Sequence, residues 1–397
     1  MKEKNIRIYP KENFRKKIHA RMKNWVAFSL AAVGLGLCLL FAGLALFGQN
    51  LGRDFVPKRQ PGLNKPQTGR VVIGYYPSFK REEQDHLFID YDSLTHIAEA
   101  FVKPDSEGNL VVDQKFIYPE LVTMAHRSGV KVLVSIGGWG NCEGFAPMAA
   151  SPDRRARFIS QVVSFCLLHH YDGVDLDWEF VSSEEESRNF SALVKELSAA
   201  LKSQTPPLLL TMAAPAGPYW GRWINFEEVH PYFDYIGFMT YDYHGPWTDH
   251  AGHNSPLYTC FHDPCGSVDD TFTYAQIRQV PLKKLLLGIP FYGRSFDTGG
   301  LYQPAQNSQY YDYSAIVKLQ AAGWRYQWDS CSQVPYLISP SGRTYLSFDD
   351  PRSVEAKCRY VLEKKAAGVI IWEIKADRVD NRARLLPVVG RSLVKKK

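Results

Sequence analysis

Beyond Arg70 the 397-residue chain has no surplus of positive charge: 33 Lys and Arg stand against 38 Asp and Glu, whereas the first 70 residues carry 14 basic residues and 3 acids. The net charge of +6 therefore belongs to the front of the chain, and a nucleic-acid footprint on the main body is excluded. Between Trp25 and Phe47 charge is missing altogether. That run, with Leu30, Val33, Leu37, Leu40, Phe41 and Leu44, matches the roughly 20 apolar residues a helix needs to cross a bilayer core. Lys11, Arg15, Lys16, Lys17, Arg21 and Lys23 precede it and fewer cations follow, which predicts a cytoplasmic N-terminus and an extracytoplasmic remainder. The expected layout is a basic tail (1–24), a transmembrane signal anchor (25–47) and a linker (48–70) broken by Pro57, Pro61 and Pro66. A signal peptide cleaved near Gly43-Leu44-Ala45 is the alternative, and it would release a secreted protein.

A glycine-rich phosphate turn is also lacking. The first apolar run after the linker, VVIGYY (71–76), continues as PSFKREE, which cannot cradle a dinucleotide. What is present is a regular alternation. Apolar, β-rich runs recur at THIAEAFV (95–102), KVLVSIGG (131–138), DGVDLDWEF (172–180), LLLTMAA (208–214), YIGFMTY (235–241), LLLGIPFYG (285–293) and GVIIWEI (368–374). Such near-continuous apolar segments suit parallel strands covered by helices. Between several of them lie helical patterns. One starts at Ser182, with Glu185 three residues on as a capping box and Phe190, Leu193, Val194, Leu197 and Leu201 on one stripe. Another follows Asp350-Pro351. About eight such units predict an α/β fold, a (β/α)8 TIM barrel over residues 71–390. The alternation breaks between about 297 and 346, which predicts a small α+β insertion before the last helix and strand.

DGVDLDWEF is the most informative strand. Side-chain alternation turns Asp175, Asp177 and Glu179 to one face and Val174, Leu176 and Trp178 to the other. Three acids on one face resist desolvation, so the face is either wet or used. The C-terminal ends of the other strands carry Tyr76, Phe101, Gly138 with Trp139, Met212, Met239 with Tyr241 and Asp242, Tyr292 with Arg294, and Trp372. In a barrel these ends form the active-site mouth. Carboxylates ringed by aromatic faces suit a sugar, whose ring carbons pack on flat apolar surfaces and whose hydroxyls need polar edges. No cofactor is implied.

The motif DxxDxDxE at Asp172 to Glu179 resembles the signature of the family 18 glycoside hydrolases, the chitinase family. SIGGW (135–139), MTYD (239–242), GHNSPLY (252–258), PFYGRSF (290–296) and FDDPRSVEAKCRYV (348–361) are similar to further motifs of that family, in its order. The resemblance implies a retaining, substrate-assisted hydrolysis of β-1,4-linked N-acetylglucosamine polymers, chitin or chito-oligosaccharides. It implies Glu179 as general acid, Asp177 on the substrate's acetamido N–H with Asp175 behind it, and Tyr241 on the acetamido oxygen. Trp372 would be the sugar's floor, with Asp242, Tyr292 and Arg294 on hydroxyls or the neighbouring unit. Peptidoglycan or N-glycan cores remain open as substrates, as does a chitin-binding lectin with little turnover. Pro77-Ser78 departs from the family pattern, and the short insertion argues against a deep tunnel.

Cys260 and Cys265 are close enough in sequence to pair, although sequence does not decide pairing. His244, His250, His253 and His262 lie at irregular spacings, so no metal is expected.

Overall fold

The computed structural model describes residues 69–260 and 263–394. The segments expected as basic tail and anchor, and nearly all of the expected linker, lie outside the described residues. Among the described residues no helix is long and apolar enough to cross a membrane.

Eight parallel strands close into a barrel. Seven of them come first: β1 (Val71–Pro77), β2 (His96–Pro104), β3 (Lys131–Gly137), β4 (Gly173–Asp177), β5 (Leu209–Ala214), β6 (Tyr235–Phe238) and β7 (Leu285–Pro290). The chain then leaves the barrel for an antiparallel five-stranded sheet. Its strands are β8 (Tyr292–Thr298), β9 (Ala305–Asp312), β10 (Arg325–Asp329), β11 (Val334–Ile338) and β12 (Thr344–Ser347), with the helix Tyr313–Ala321 between β9 and β10. It returns through the helix Pro351–Glu363 to β13 (Gly368–Trp372), which pairs with β7 and β1, while β1 pairs with β2 and shuts the barrel.

Two apolar cores follow from the strand period. Val71, Ile73, Tyr75, Ala98, Ala100, Leu133, Leu286 and Ile370 pack inside the barrel. Val72, Ile97, Val132, Val134, Val174, Leu176, Leu210 and Leu287 face the helices. The helices begin where their caps direct. Ser183, one residue later than expected, caps Glu184–Lys202 by accepting the Glu186 N–H. Ser182 is held by Glu186 Oε2 instead. Asp350 and Ser353 form a reciprocal capping box on Pro351–Glu363.

The long loop from β6 to the helix Val268–Ile277 is tied to the five-stranded sheet. Ala251 N–H donates to the Gln303 carbonyl at 2.9 Å. Cys260 is bonded to Cys331, 71 residues away, and not to Cys265, whose thiol is free. Proximity along the chain misled here because the loop folds back on the insertion, which carries Cys331.

Candidate active site at the barrel mouth

The β4 strand sets the centre. Val174, Leu176 and Trp178 point to the helices, where Trp178 stacks on Phe145 at 5.0 Å. Asp175 and Asp177 point inward and are buried. The β-ladder stops at Asp177, so Glu179 projects from the first residues beyond the strand rather than from the strand itself. Its backbone N–H is held by the Cys142 sulfur at 3.1 Å. The same sulfur faces the carbonyls of Asp177 and Gly138 at 3.3 and 3.4 Å.

The three acids differ in their surroundings. Ser135 and Thr211 stand beside Asp175 in the strand register. Asp175 Oδ2 accepts from Tyr75 at 2.8 Å and Ser135 at 2.9 Å, and Oδ1 accepts from Thr211 at 2.6 Å. Burial outweighs these hydrogen bonds and raises its pKa. Asp177 Oδ1, by contrast, is buried with no hydrogen-bond partner. Burial, reinforced by the charges of Glu179 and Asp175, holds Asp177 well above the ordinary carboxylate range. Half-buried Glu179 is pushed up to about 7, first by desolvation and then by the charge of Asp242. Asp172, out of step with the others, ties the base of the barrel. It accepts from His126 Nε2 at 2.7 Å and from Val132 N–H at 2.8 Å.

An aromatic floor lies beside the acids. Trp372 stacks on Phe101 with centroids 5.6 Å apart and planes 15° apart, and it meets the Tyr75 ring at 5.7 Å. Gly138 permits the stack: with φ +81° it lies so near that a Cβ would sit 2.5 Å from the Phe101 ring. Met239 packs against the inner core from the same end. Tyr241 is enclosed by the acids. Burial, then the charges of Asp177 and Glu179, raise its phenol well above the usual range. Its ring meets Tyr292 edge-on at 5.9 Å, and Tyr292 stacks on Tyr310 at 4.6 Å. Asp242, at φ +59°, donates its N–H to Asn254 Oδ1 and accepts Arg294 Nε at 2.7 Å. The Arg294 guanidinium lies 5.0 Å over Trp247.

Two expected site residues point elsewhere. Tyr76 faces the helices, where its hydroxyl donates to Asp85 at 3.0 Å. Its neighbour Tyr75 is the tyrosine inside the barrel. Met212 sits with Leu210 and Ala214 in the outer core, and Thr211 is the inward residue of β5. Both errors are parity errors of one residue. Ser135 and Thr211, polar residues within apolar runs, were a visible signal of the inward face. Trp139 is exposed at the mouth, as are Trp220 and Trp247, which the strand-end reading missed because they lie beyond the strands, Trp220 in the short helix Pro218–Gly221 and Trp247 in the loop after β6. Trp220 stacks on Phe180 at 5.2 Å.

Residues 71–377 match the family described as glycosyl hydrolases family 18. The chain is 34% identical over 273 residues to a probable endochitinase of Caenorhabditis elegans, covering 62% of this chain and 44% of that protein. It spans 44% to 62% of the length of the first three curated relatives. Among solved structures it is similar to a Group IV chitinase of Ostrinia furnacalis in complex with allosamidin. That match has a TM-score of 0.74 at 27% identity, covering 81% of this chain and 98% of the other. An N-acetylglucosaminidase of Paenibacillus barengoltzii matches with TM-score 0.74 at 30% identity, covering 82% of this chain and all of that one.

Proposed function

The chain belongs to family 18 of the glycosyl hydrolases, and on that basis we propose that it hydrolyses β-1,4 bonds of N-acetylglucosamine polymers, chitin or its oligosaccharides, with retention of configuration. The observation that carries the reading is the buried Asp177 Oδ1, which has no hydrogen-bond partner and lies within the charge field of Glu179. A buried carboxylate oxygen left without a donor is costly, by about 1–3 kcal/mol, unless a ligand supplies one. The substrate's acetamido N–H is a donor of the right kind.

The steps follow from these positions. Glu179, protonated, gives its proton to the leaving glycosidic oxygen as that C–O bond breaks. The substrate's own acetamido oxygen attacks the anomeric carbon and forms the oxazolinium ion, so no protein carboxylate becomes the nucleophile. Asp177 accepts the acetamido N–H and, in its ionised form, offsets the developing positive charge. Tyr241 steadies the acetamido oxygen, and Trp372 with Phe101 and Tyr75 forms the surface on which that sugar rests. Water then opens the oxazolinium from the face that keeps the β configuration, with Glu179 taking its proton. Arg294, paired with Asp242, and the exposed rings of Trp139, Trp220 and Trp247 extend the contact to neighbouring sugars.

The test is a product profile on chitotetraose beside peptidoglycan and an N-glycan core, across pH. Cleavage of chitotetraose to β-anomers is expected, with turnover falling as pH rises through about 7, where Glu179 loses its proton. Intact chitotetraose at every pH would end the proposal, and selective release from peptidoglycan or the N-glycan would redirect the substrate.

Placement is a further part of this reading. The uncharged run Trp25–Phe47 anchors the protein in a membrane, with residues 1–24 in the cytoplasm and the barrel outside. The Cys260–Cys331 disulfide suits that oxidising side. The protein is expected to stay with membranes through alkaline carbonate extraction, with the barrel open to protease on intact cells. Release into the medium with a new N-terminus after residue 43 would instead indicate a cleaved signal peptide.

A further inference from the structure

The loop between β6 and the helix Val268–Ile277 carries a cluster the hydrolytic site does not use. His244, His250, Asp263 and Cys265 bring one donor atom each within 4.8 Å of all the others. The sequence reading expected no metal because the histidines are irregularly spaced. The structure pairs two of them with an acid and a thiol, and leaves His253 outside, bonded to Asp329 and Tyr345.

The separations have the scale of a coordination shell. His244 Nε2 lies 3.1 Å from His250 Nε2 and 3.3 Å from Asp263 Oδ2. His250 Nε2 lies 3.7 Å from Asp263 Oδ1 and 4.0 Å from Cys265 Sγ. A tetrahedral zinc with bonds of about 2.0–2.1 Å to nitrogen or oxygen and about 2.3 Å to sulfur has ligand–ligand edges of roughly 3.3–3.6 Å. The cluster brackets that range.

The outer hydrogen bonds point the same way. His244 Nδ1 lies 2.9 Å from the His253 carbonyl, and His250 Nδ1 lies 2.7 Å from Asp249 Oδ1. Both partners only accept, so both Nδ1 atoms carry the proton. With Nδ1 so committed, the ring Nε2 atoms face each other and Asp263, as ligand atoms would. Histidines that bind metal are held in this way, through a carbonyl or a carboxylate on the far nitrogen. Lone pairs 3.1 Å apart repel unless a cation stands between them. A single proton would bridge the two nitrogens but would leave the Cys265 thiol unused. His244 is fully buried and the Asp263 side chain is 3% exposed, while His250 is 23% exposed.

We propose that His244, His250, Asp263 and Cys265 bind one zinc ion. Nitrogen and sulfur donors exclude the hard cations calcium and magnesium, which take oxygen shells. Four protein ligands leave no open position, so the ion is structural. It fastens a loop that also bears Asp242 and Trp247, and it works beside the disulfide that joins the same loop to the five-stranded sheet. Binding deprotonates Cys265 and releases that proton to solvent.

The full-length protein, kept free of thiol reductants, is stripped with chelator, titrated with zinc chloride and assayed for bound metal. One saturable zinc per chain is expected, with affinity at least tenfold weaker in both His250→Ala and Cys265→Ser. Chelator should lower the thermal midpoint of the wild type and leave that of Cys265→Ser unchanged. Cobalt added to the stripped wild type should give a sulfur-to-metal charge-transfer band, which needs no variant to fold. Absence of a one-to-one site, of that band, or of any effect of both substitutions would overturn the proposal. None of these readings depends on glycoside hydrolysis.

Discussion

Glu179→Gln is expected to lower kcat on chitotetraose by about 10²–10⁴-fold while leaving the Kd for the oligosaccharide within a few-fold. Gln fills the same volume and keeps the aromatic floor of Trp372, Phe101 and Tyr75, so binding surface is conserved. It has no proton to give to the leaving oxygen. Single-turnover rates beside calorimetric binding separate the two effects, and an unchanged kcat would exclude Glu179 as the acid. The same substitution has a stability signature. Glu179 is raised from 4.5 to about 7 in the fold. Between those values the folded state holds a proton that the unfolded state has lost, so wild-type stability falls as pH rises from about 4.5 to 7 and stays reduced above. Gln does not ionise and escapes that loss. At pH 8 the variant should therefore unfold later than wild type, by on the order of 2 kcal/mol after allowing for water at the half-open mouth. At pH 4.5 the difference should largely vanish. A catalytic loss without this pH-dependent gain would mean that Glu179 is well solvated, against its burial.

The barrel was legible because each strand is a near-continuous apolar run and its order along the chain is the order around the barrel, except for the five-stranded excursion before β13. Strand ends were less legible. The run DGVDLDWEF reads as one strand to Phe180, yet pairing ends at Asp177. The residues beyond leave the ladder to reach the mouth, and hydrophobicity does not register that departure. Parity was the other weak point. In β4 three acids mark the inward face, so Asp175 and Asp177 were assigned correctly. In β1 adjacent tyrosines offer no such mark, and Tyr76 was taken where Tyr75 stands. Long-range closure was invisible for a different reason. The Cys260–Cys331 bond and the His244–Cys265 cluster both depend on how one long loop folds back, and no local period encodes that path.

Fully deacetylated chitotetraose should be cleaved at least about 10³-fold more slowly than the acetylated oligomer, with the deficit in kcat rather than in Kd. Removal of the acyl group takes away the oxygen that attacks the anomeric carbon, and an intramolecular attacking group is worth effective molarities of about 10⁵ M or more. It also replaces the amide N–H that Asp177 Oδ1 lacks in the fold with an ammonium. A cation is not repelled from this mouth: Asp177, Glu179 and Asp242 surround the position, and an ammonium can still donate to Asp177. Affinity should therefore hold or tighten while turnover collapses, a split that a steric or charge clash would not produce. Weakened binding with normal turnover of the bound fraction would place the acetamido group outside the chemistry. Equal turnover of both oligomers would require a protein carboxylate as nucleophile or as base to a directly attacking water, and Asp242 could serve only by giving up the 2.7 Å pairing with Arg294 that now holds it.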